Sequence, residues 1–329
     1  MNNIINIVIL IIGFILLIKG ADIFVDGSSS IAKKIGIPSV IVGLTIVSLG
    51  TSAPELAVSS ISALQGNNGI AIGNVLGSNI FNTLVVLGGT AIAMPLIIRK
   101  RIVKRDFFVN ILVAIILYII AFGISFNGKD GLISRIDGVI LLLLCIIYTI
   151  VLIRSAIKDK GSRDTDMESK VATTNIRIGP NIIKIIVGII GIVLGGKFVV
   201  DSATNIAYSI GMSEKLVGLT IVAVGTSLPE LVTSIVAALK GETEIAIGNV
   251  LGSNIFNILL ILGLSSTINP IVVTGNLYMD LLFLIIVTII IGIIIFFNKD
   301  KEIKKLNRLE GTVLILVYVV YLSYIIIRN

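Results

Sequence analysis

Residues Ile70 to Asn82 read IAIGNVLGSNIFN, and the same letters return without change from Ile245 to Asn257. The offset of 175 residues (245 − 70) also relates Gly50-Thr-Ser-Ala-Pro-Glu55-Leu to Gly225-Thr-Ser-Leu-Pro-Glu230-Leu, and Asp26 to Asp201. The chain is therefore two copies of one unit. Each copy keeps serine, asparagine and glutamate among apolar residues. Polar groups in hydrocarbon are costly unless they find partners, so retaining the same ones twice points to a working site.

Hydropathy sets the class. Of 329 residues, 56% are apolar and only 14% charged, and mean hydropathy is +1.09, far from the balance of a soluble domain. A spanning helix needs about 20 mostly apolar residues. Ten stretches qualify, near residues 4–25, 40–64, 70–94, 107–122, 136–153, 182–200, 216–239, 245–268, 279–297 and 312–327. The expected fold is an all-α integral membrane protein of ten transmembrane helices. There is no histidine, which excludes a Ser-His triad, an imidazole metal site and a histidine proton relay. No P-loop and no Gly-x-Ser-x-Gly elbow is found, so an intramembrane enzyme is disfavoured. Cys145 stands alone, so no intrachain disulfide forms, and its apolar run gives it a packing role. The N-terminus reads as a first spanning helix rather than a removed signal.

The one strongly polar internal stretch, residues 155–180, divides a first repeat (1–154) from a second (181–329). Five helices per repeat is an odd number, so the second copy enters the membrane from the opposite side. Two inverted five-helix repeats form a transporter plan, with the site near the midplane where the copies meet. With the N-terminus outside, 19 of the basic residues fall in inward-facing loops and 4 in outward-facing ones. The positive-inside rule then expects a multi-pass cell-membrane protein with both termini extracellular and the linker cytoplasmic. The net charge of +7 sits in loops rather than in a patch, which argues against a nucleic-acid partner; phosphoinositide binding is the alternative reading of those charges. Duplication for packing alone is disfavoured by where the identity falls. It is concentrated on the second and third helices of each half, while the fourth and fifth match as generic apolar runs.

Helical spacing aligns the polar residues. Thr45, Ser48, Ser52, Glu55, Ser59 and Ser62 follow steps of three and four, echoed by Thr220, Ser227, Glu230 and Ser234, with Ala223 in place of Ser48. Asn74, Ser78 and Asn82 recur at steps of four, matched by Asn249, Ser253 and Asn257. Gly73-x-x-x-Gly77 and Gly248-x-x-x-Gly252 allow close helix contact, and Asn74 and Asn249 are read as bonds across helices. Glu55 and Glu230 resist that reading, because no lysine or arginine in their stretches can neutralise them. They are assigned to cation coordination or proton carriage. Pro54 and Pro229 cannot donate to the carbonyls four residues earlier, Gly50 and Gly225, and are expected to break both helices. Carboxylate, carbonyl, hydroxyl and amide oxygens together suit hard cations. Asp26 and Asp201 are expected to cap or face water near helix ends, with gating as the other reading.

GTSAPELAVS with GNVLGSNIFN, repeated as GTSLPELVTS with GNVLGSNIFN, resembles the paired alpha-repeats of the sodium/calcium exchanger family over nearly the whole chain. The short linker looks like that of a prokaryotic member. The resemblance implies that Glu55 and Glu230 bind Ca2+, helped by the backbone oxygens of Thr51 and Thr226. It implies Na+ sites at Ser52, Ser227, Ser78, Ser253, Asn82 and Asn257, with backbone oxygens at Ser48 and Ala223. Ca2+ and Na+ are then transported ions rather than prosthetic groups, and the carrier is expected to be a monomer in the lipid bilayer. Some relatives, potassium-dependent ones among them, carry Asp where this chain has Asn257. Proton-coupled relatives typically show GNxxE, whereas Gly73-Asn74 and Gly248-Asn249 lead to Gly77 and Gly252. The expected function is electrogenic Na+/Ca2+ exchange by alternating access. The rivals are a Ca2+/H+ antiporter and a cation channel.

Overall fold

The computed structural model describes residues 3–66, 68–123, 130–163, 177–209, 223–297 and 302–328. In chain order its helices are α1 (Asn3–Ile35), α2 (Ser39–Thr51) and α3 (Ala53–Leu64), then α4, which runs as Asn68–Phe81, Asn82–Val86 and Leu87–Ala93. α5 (Lys100–Phe122) and α6 (Arg135–Arg163) complete the first half. α7 (Ile178–Ser209), α8 (Ala223–Thr226) and α9 (Leu228–Leu239) follow. α10 comes next, as Thr243–Phe256, Asn257–Leu262 and Gly263–Ile268, and then α11 (Asn276–Phe296) and α12 (Arg308–Arg328). Among the described residues, eight helices are long and apolar enough to cross a membrane, and the bent pair α2–α3 makes a ninth. The stretch expected as a span over 216–239 lies partly outside the described residues; α8 and α9 are its described part.

Two features depart from the sequence expectation. The loops are not wholly irregular: strand β1 (Leu96–Arg99) pairs antiparallel with β4 (Ile303–Leu306), and β2 (Gly131–Ile133) with β3 (Ile271–Val273). These ribbons join the two halves at opposite ends of the bundle, giving backbone groups just outside the apolar zone a hydrogen-bonded partner. α6 also continues through Arg163, into the segment expected as a linker; residues 164–176 lie outside the described set.

Burial orders the helices. The apolar window of Thr243–Ile268 is 94% buried, against 17% for Arg308–Arg328, so α10 is central and α12 peripheral. α6 turns Ile136, Val139, Ile140, Leu143, Ile146 and Ile147 outward, the apolar face expected toward lipid. α1 and α7 pack on each other along glycines. A Cβ at Gly20 would lie 2.7 Å from the Ile192 backbone nitrogen, one at Gly195 2.5 Å from that of Leu17, and one at Gly188 2.7 Å from that of Phe24. Backbones this close need small residues at the crossing. α2 meets α10 in the same way, through Gly43, Gly248 and Gly252. The equivalent partner of Gly73 and Gly77, around Gly218, lies outside the described residues.

The end of α1 is tied down by charge. Lys240, after α9, reaches Asp22 at 2.8 Å and Asp26 at 2.6 Å, and Glu242, before α10, pairs with Lys33 at 2.8 Å and accepts from Ser29. Asp26 is thus exposed and ion-paired within α1, and does not cap it; Asp201 is exposed on α7. Burial pushes the Glu242 carboxyl up, but Lys33 and Ser29 outweigh it and hold it below its ordinary value. This bridge therefore acts at neutral pH and is lost as the pH falls through that lowered value.

The α1–α7 crossing gives a direct test. Gly20→Val is expected to destabilise the detergent-solubilised protein by about 1–3 kcal/mol through overpacking against backbone. Gly69→Ala, at an exposed position with open space around it, should leave thermal unfolding unchanged or raise its midpoint.

Candidate cation site

The two breaks form the centre. α2 ends at Thr51 and α3 restarts at Ala53 with Pro54 in its first turn, at a bend of 50°. The hinge residue is Ser52, with φ −80° and ψ 10°; its equivalent Ser227 has φ −94° and ψ 6° between α8 and α9. The prolines set the breaks as expected, but the residue that leaves helical geometry is the serine two positions before each. Gly50 serves a second end: a Cβ there would lie 3.1 Å from the Phe24 ring, and one at Gly225 2.4 Å from Val200. These glycines let α1 and α7 lie across the breaks.

The hydrogen bonds cross between copies. Ser52 Oγ donates to Glu230 Oε1 at 2.8 Å, and Ser227 Oγ donates to Glu55 Oε1 at 2.9 Å. Ser52 Oγ also lies 3.1 Å from Ser253 Oγ, and Ser227 Oγ 2.9 Å from Ser78 Oγ. Asn74 Nδ2 donates to Ser59 Oγ at 2.9 Å and to the Glu55 carbonyl at 3.3 Å, while Thr226 Oγ1 donates to Asn74 Oδ1 at 3.2 Å. Asn249 repeats this with Ser234 (2.9 Å), the Glu230 carbonyl (3.3 Å) and Thr51 (3.1 Å). Each half is thereby stitched to the other, and the reading of Asn74 and Asn249 as bonds across helices matches this geometry.

Glu55, Glu230, Thr51, Ser227, Ser253, Asn82 and Asn257 are wholly buried, and Ser52, Ser78 and Thr226 nearly so. Glu55 Oε2, Glu230 Oε2, Asn82 Oδ1 and Asn257 Oδ1 are buried with no hydrogen-bond partner among the described residues. Buried polar atoms normally find one, so four orphaned oxygens in one region are the chemistry of a hard-cation cage. Asn82 and Asn257 each open a π-helical turn, Asn82–Val86 and Asn257–Leu262, the local distortion often found at functional sites.

Some residues on the sequence stripe fall outside this centre. Thr45 Oγ1 donates back to the Ile41 carbonyl at 2.7 Å, and Ser62 lies on α3 beyond Ser59. The Ser48 carbonyl already accepts from Thr51 Oγ1 at 3.3 Å and from the Ser52 amide at 3.0 Å. Ala223 opens α8, and Thr220 lies outside the described residues. Sequence reading passed over Asn79, Asn254 and Thr83, which are buried and bonded together beside the centre. The two asparagines belong to the duplicated stretch; they were missed because they sit off the helical steps of the stripe.

An oxygen-lined, buried centre between two broken helices in an apolar bundle defines a membrane carrier for small cations. Residues 5–154 and 181–327 match the family model described as sodium/calcium exchanger protein, and the chain belongs to that family. It is 36% identical to the sodium/calcium exchanger MaX1 of Methanosarcina acetivorans, over 97% of both chains. It is also 36% identical to the inner membrane protein YrbG of Escherichia coli, over 80% of this chain and 79% of that one. Its fold matches a structure of the sodium-calcium exchanger NCX_Mj soaked with Na+ and Ca2+, with a TM-score of 0.80 and 31% identity. That match covers 97% of this chain and 98% of the other.

Two asparagine types in the site should behave differently. Asn249→Ala takes the amide from Ser234 and the Glu230 carbonyl, leaves Thr51 with the Ser48 carbonyl, and is expected to cost about 1–3 kcal/mol of stability. Asn82→Ala removes a side chain with no partner, so ion-free thermal unfolding should barely move while stabilisation by added Na+ declines.

Proposed function

We propose that the protein is a cation/Ca2+ antiporter of the cell membrane that exchanges Na+ for Ca2+ by alternating access. The carrying observation is the pair of buried carboxylates, Glu55 and Glu230, each hydrogen-bonded by the other copy's hinge serine and each with an unpartnered oxygen. Glu55 and Glu230 hold Ca2+, with the Thr51 and Thr226 backbone oxygens beside them. Ser52, Ser227, Ser78, Ser253, Asn82 and Asn257 hold Na+, together with the backbone oxygens of Ser48 and Ala223.

The architecture in this reading is ten spans in two inverted five-helix repeats, residues 1–154 and 181–329. The strand ribbons support it. With both termini outside, β1 and β4 fall on the cytoplasmic side and β2 and β3 on the extracellular side, as their pairing requires. An even number of spans per repeat would put the partners of each ribbon on opposite sides. The protein acts as a monomer, with the polar linker in the cytoplasm.

Charge supplies the coupling. Two ionised glutamates give the empty centre a charge of −2, which one Ca2+ cancels and several Na+ cancel or slightly exceed. Enclosing the uncompensated pair costs at least several kcal/mol, and a barrier penalty of about 4 kcal/mol slows crossing about a thousandfold. The loaded carrier therefore crosses and the empty one does not, which enforces exchange over leak. Exchange of one Ca2+ for three or more Na+ would move net charge. α1 and α7, lying across both breaks, are the pair placed to alternate access.

Uptake of radiolabelled Ca2+ into Na+-loaded proteoliposomes tests the reading. Glu55→Gln and Glu230→Gln should each abolish it, while Asn74→Ala should only weaken it. Robust Na+-driven uptake by both glutamine variants would remove the role of the carboxylates. Imposing a Na+ gradient and a pH gradient separately on the same vesicles distinguishes Na+ coupling from H+ coupling: uptake should follow the first.

A further inference from the structure

Asn79 lies on α4, three residues before Asn82, and is buried. Its Nδ2 donates to the backbone carbonyl of Asn254 at 3.2 Å, and its Oδ1 accepts from Asn257 Nδ2 at 3.0 Å. These two bonds fix each other's polarity. A backbone carbonyl can only accept, so the end of the Asn79 amide facing it must be nitrogen. The other end is then oxygen, and whatever Asn257 turns toward it must be a donor. Side-chain amides are otherwise ambiguous between their two orientations, but here the backbone decides for both. Asn257 Oδ1 is left as the free atom, buried and without a partner among the described residues. One helical turn before it, Ser253 Oγ lies 3.4 Å from the Glu230 carboxylate.

The other half breaks this pattern. By the repeat offset, Asn254 stands for Asn79 and Asn82 for Asn257. Asn254 Nδ2, however, donates to Thr83 Oγ1 at 2.8 Å, and the position equivalent to Thr83 is Ile258, which offers no hydroxyl. Asn254 Oδ1 and both polar atoms of Asn82 have no partner among the described residues. One copy clamps its amide; the other holds it by no hydrogen bond among the described residues.

We propose that Asn79 is a positioning residue that presents the oxygen of Asn257, and not its nitrogen, to the transported cation, while Asn82 carries no such restraint. This rests on the cation-site reading of Glu55 and Glu230. An unrestrained amide spends part of its time with N–H toward the ion, which repels it, and must lose rotational freedom on binding; a clamped one is already arranged. The restraint is also specific to an amide. An aspartate at 257 would set oxygen against Asn79 Oδ1, and having oxygen at both ends would need no orienting.

The test is the half-saturating Na+ concentration for Ca2+ exchange in proteoliposomes, read in several backgrounds. Asn79→Ala should raise it about three- to tenfold in the otherwise unchanged chain, the effect of one neutral hydrogen bond. The same change should cause no further rise when residue 257 is alanine or aspartate (Asn257→Ala or Asn257→Asp), because no amide is left to orient. Asn254→Ala and Asn82→Ala should combine independently, since no bond links them. Equal losses in all three 257 backgrounds would assign Asn79 a packing role and overturn the proposal, as would no change in the original background. If Asn79→Ala fails to fold, Asn79→Thr serves in the same cycle, and the shift of detergent unfolding by added Na+ replaces flux. A failure of the cation-site reading appears separately, as Na+-driven uptake that survives Glu55→Gln and Glu230→Gln.

Discussion

Two buried carboxylates, each held by a serine from the opposite copy, impose the constraint that organises this protein. Among the described residues neither Glu55 nor Glu230 has a lysine or arginine beside it, and both carboxylates accept from serine hydroxyls. Taking such groups out of water is expensive unless opposite charge arrives. The hydroxyls that satisfy Oε1 stand on the hinge residues, so the chain must leave helical geometry at Ser52 and Ser227 for the hydroxyls to reach across. The asparagine stitches and the prolines then hold those breaks open. Site and interface between copies are one set of bonds.

Much of this was legible in the letters. Glu55, Glu230 and the proline-marked breaks stood out because duplication and cost coincide there: a carboxylate kept twice in an apolar run is too expensive to be filler. The steps of three and four put Ser52 and Ser78 on faces that meet the other copy, at Ser253 and Ser227. Periodicity failed where the backbone departs from 3.6 residues per turn. The π turns beginning at Asn82 and Asn257 rotate the succeeding residues of α4 and α10 out of register, and tertiary packing sets them, not local propensity. Asn79 and Asn254 were invisible for a related reason. Their roles come from bonds between helices far apart in sequence, which no pattern within one helix reports.

The fourth and fifth helices of each half also hold more than apolar runs. Asp106 is buried, bound by Arg105 through two contacts of 3.0 Å and by the Tyr148 hydroxyl at 3.2 Å. Asp280 in the second half is buried, bound by Arg328 at 2.9 and 3.1 Å, with Tyr321 beside it. The aspartates are 174 residues apart (280 − 106) and the tyrosines 173 (321 − 148), so an Asp–Tyr pair joins these two helices in both copies. The arginine comes from different places, adjacent in the first half and from the last turn of α12 in the second. Drift of one or two residues in offset, and an arginine that moved, were enough to hide the relation from a comparison at fixed spacing. These pairs fasten the outer helices in place, and the charge is neutralised at once, unlike that of the glutamates.

The glycine-faced contact of α1 with α7 has a mechanical corollary. Interlocked side chains oppose translation of one helix along another, because each must climb over its neighbour. Where backbones meet through hydrogen atoms alone, that corrugation is shallow, and lengthwise displacement meets little friction. The stiffness that keeps the carboxylates aligned and the slipperiness of their cover can therefore coexist in one small bundle, since bonds from Thr51 and Ser52 pin the equally glycine-faced contact of α2 with α10.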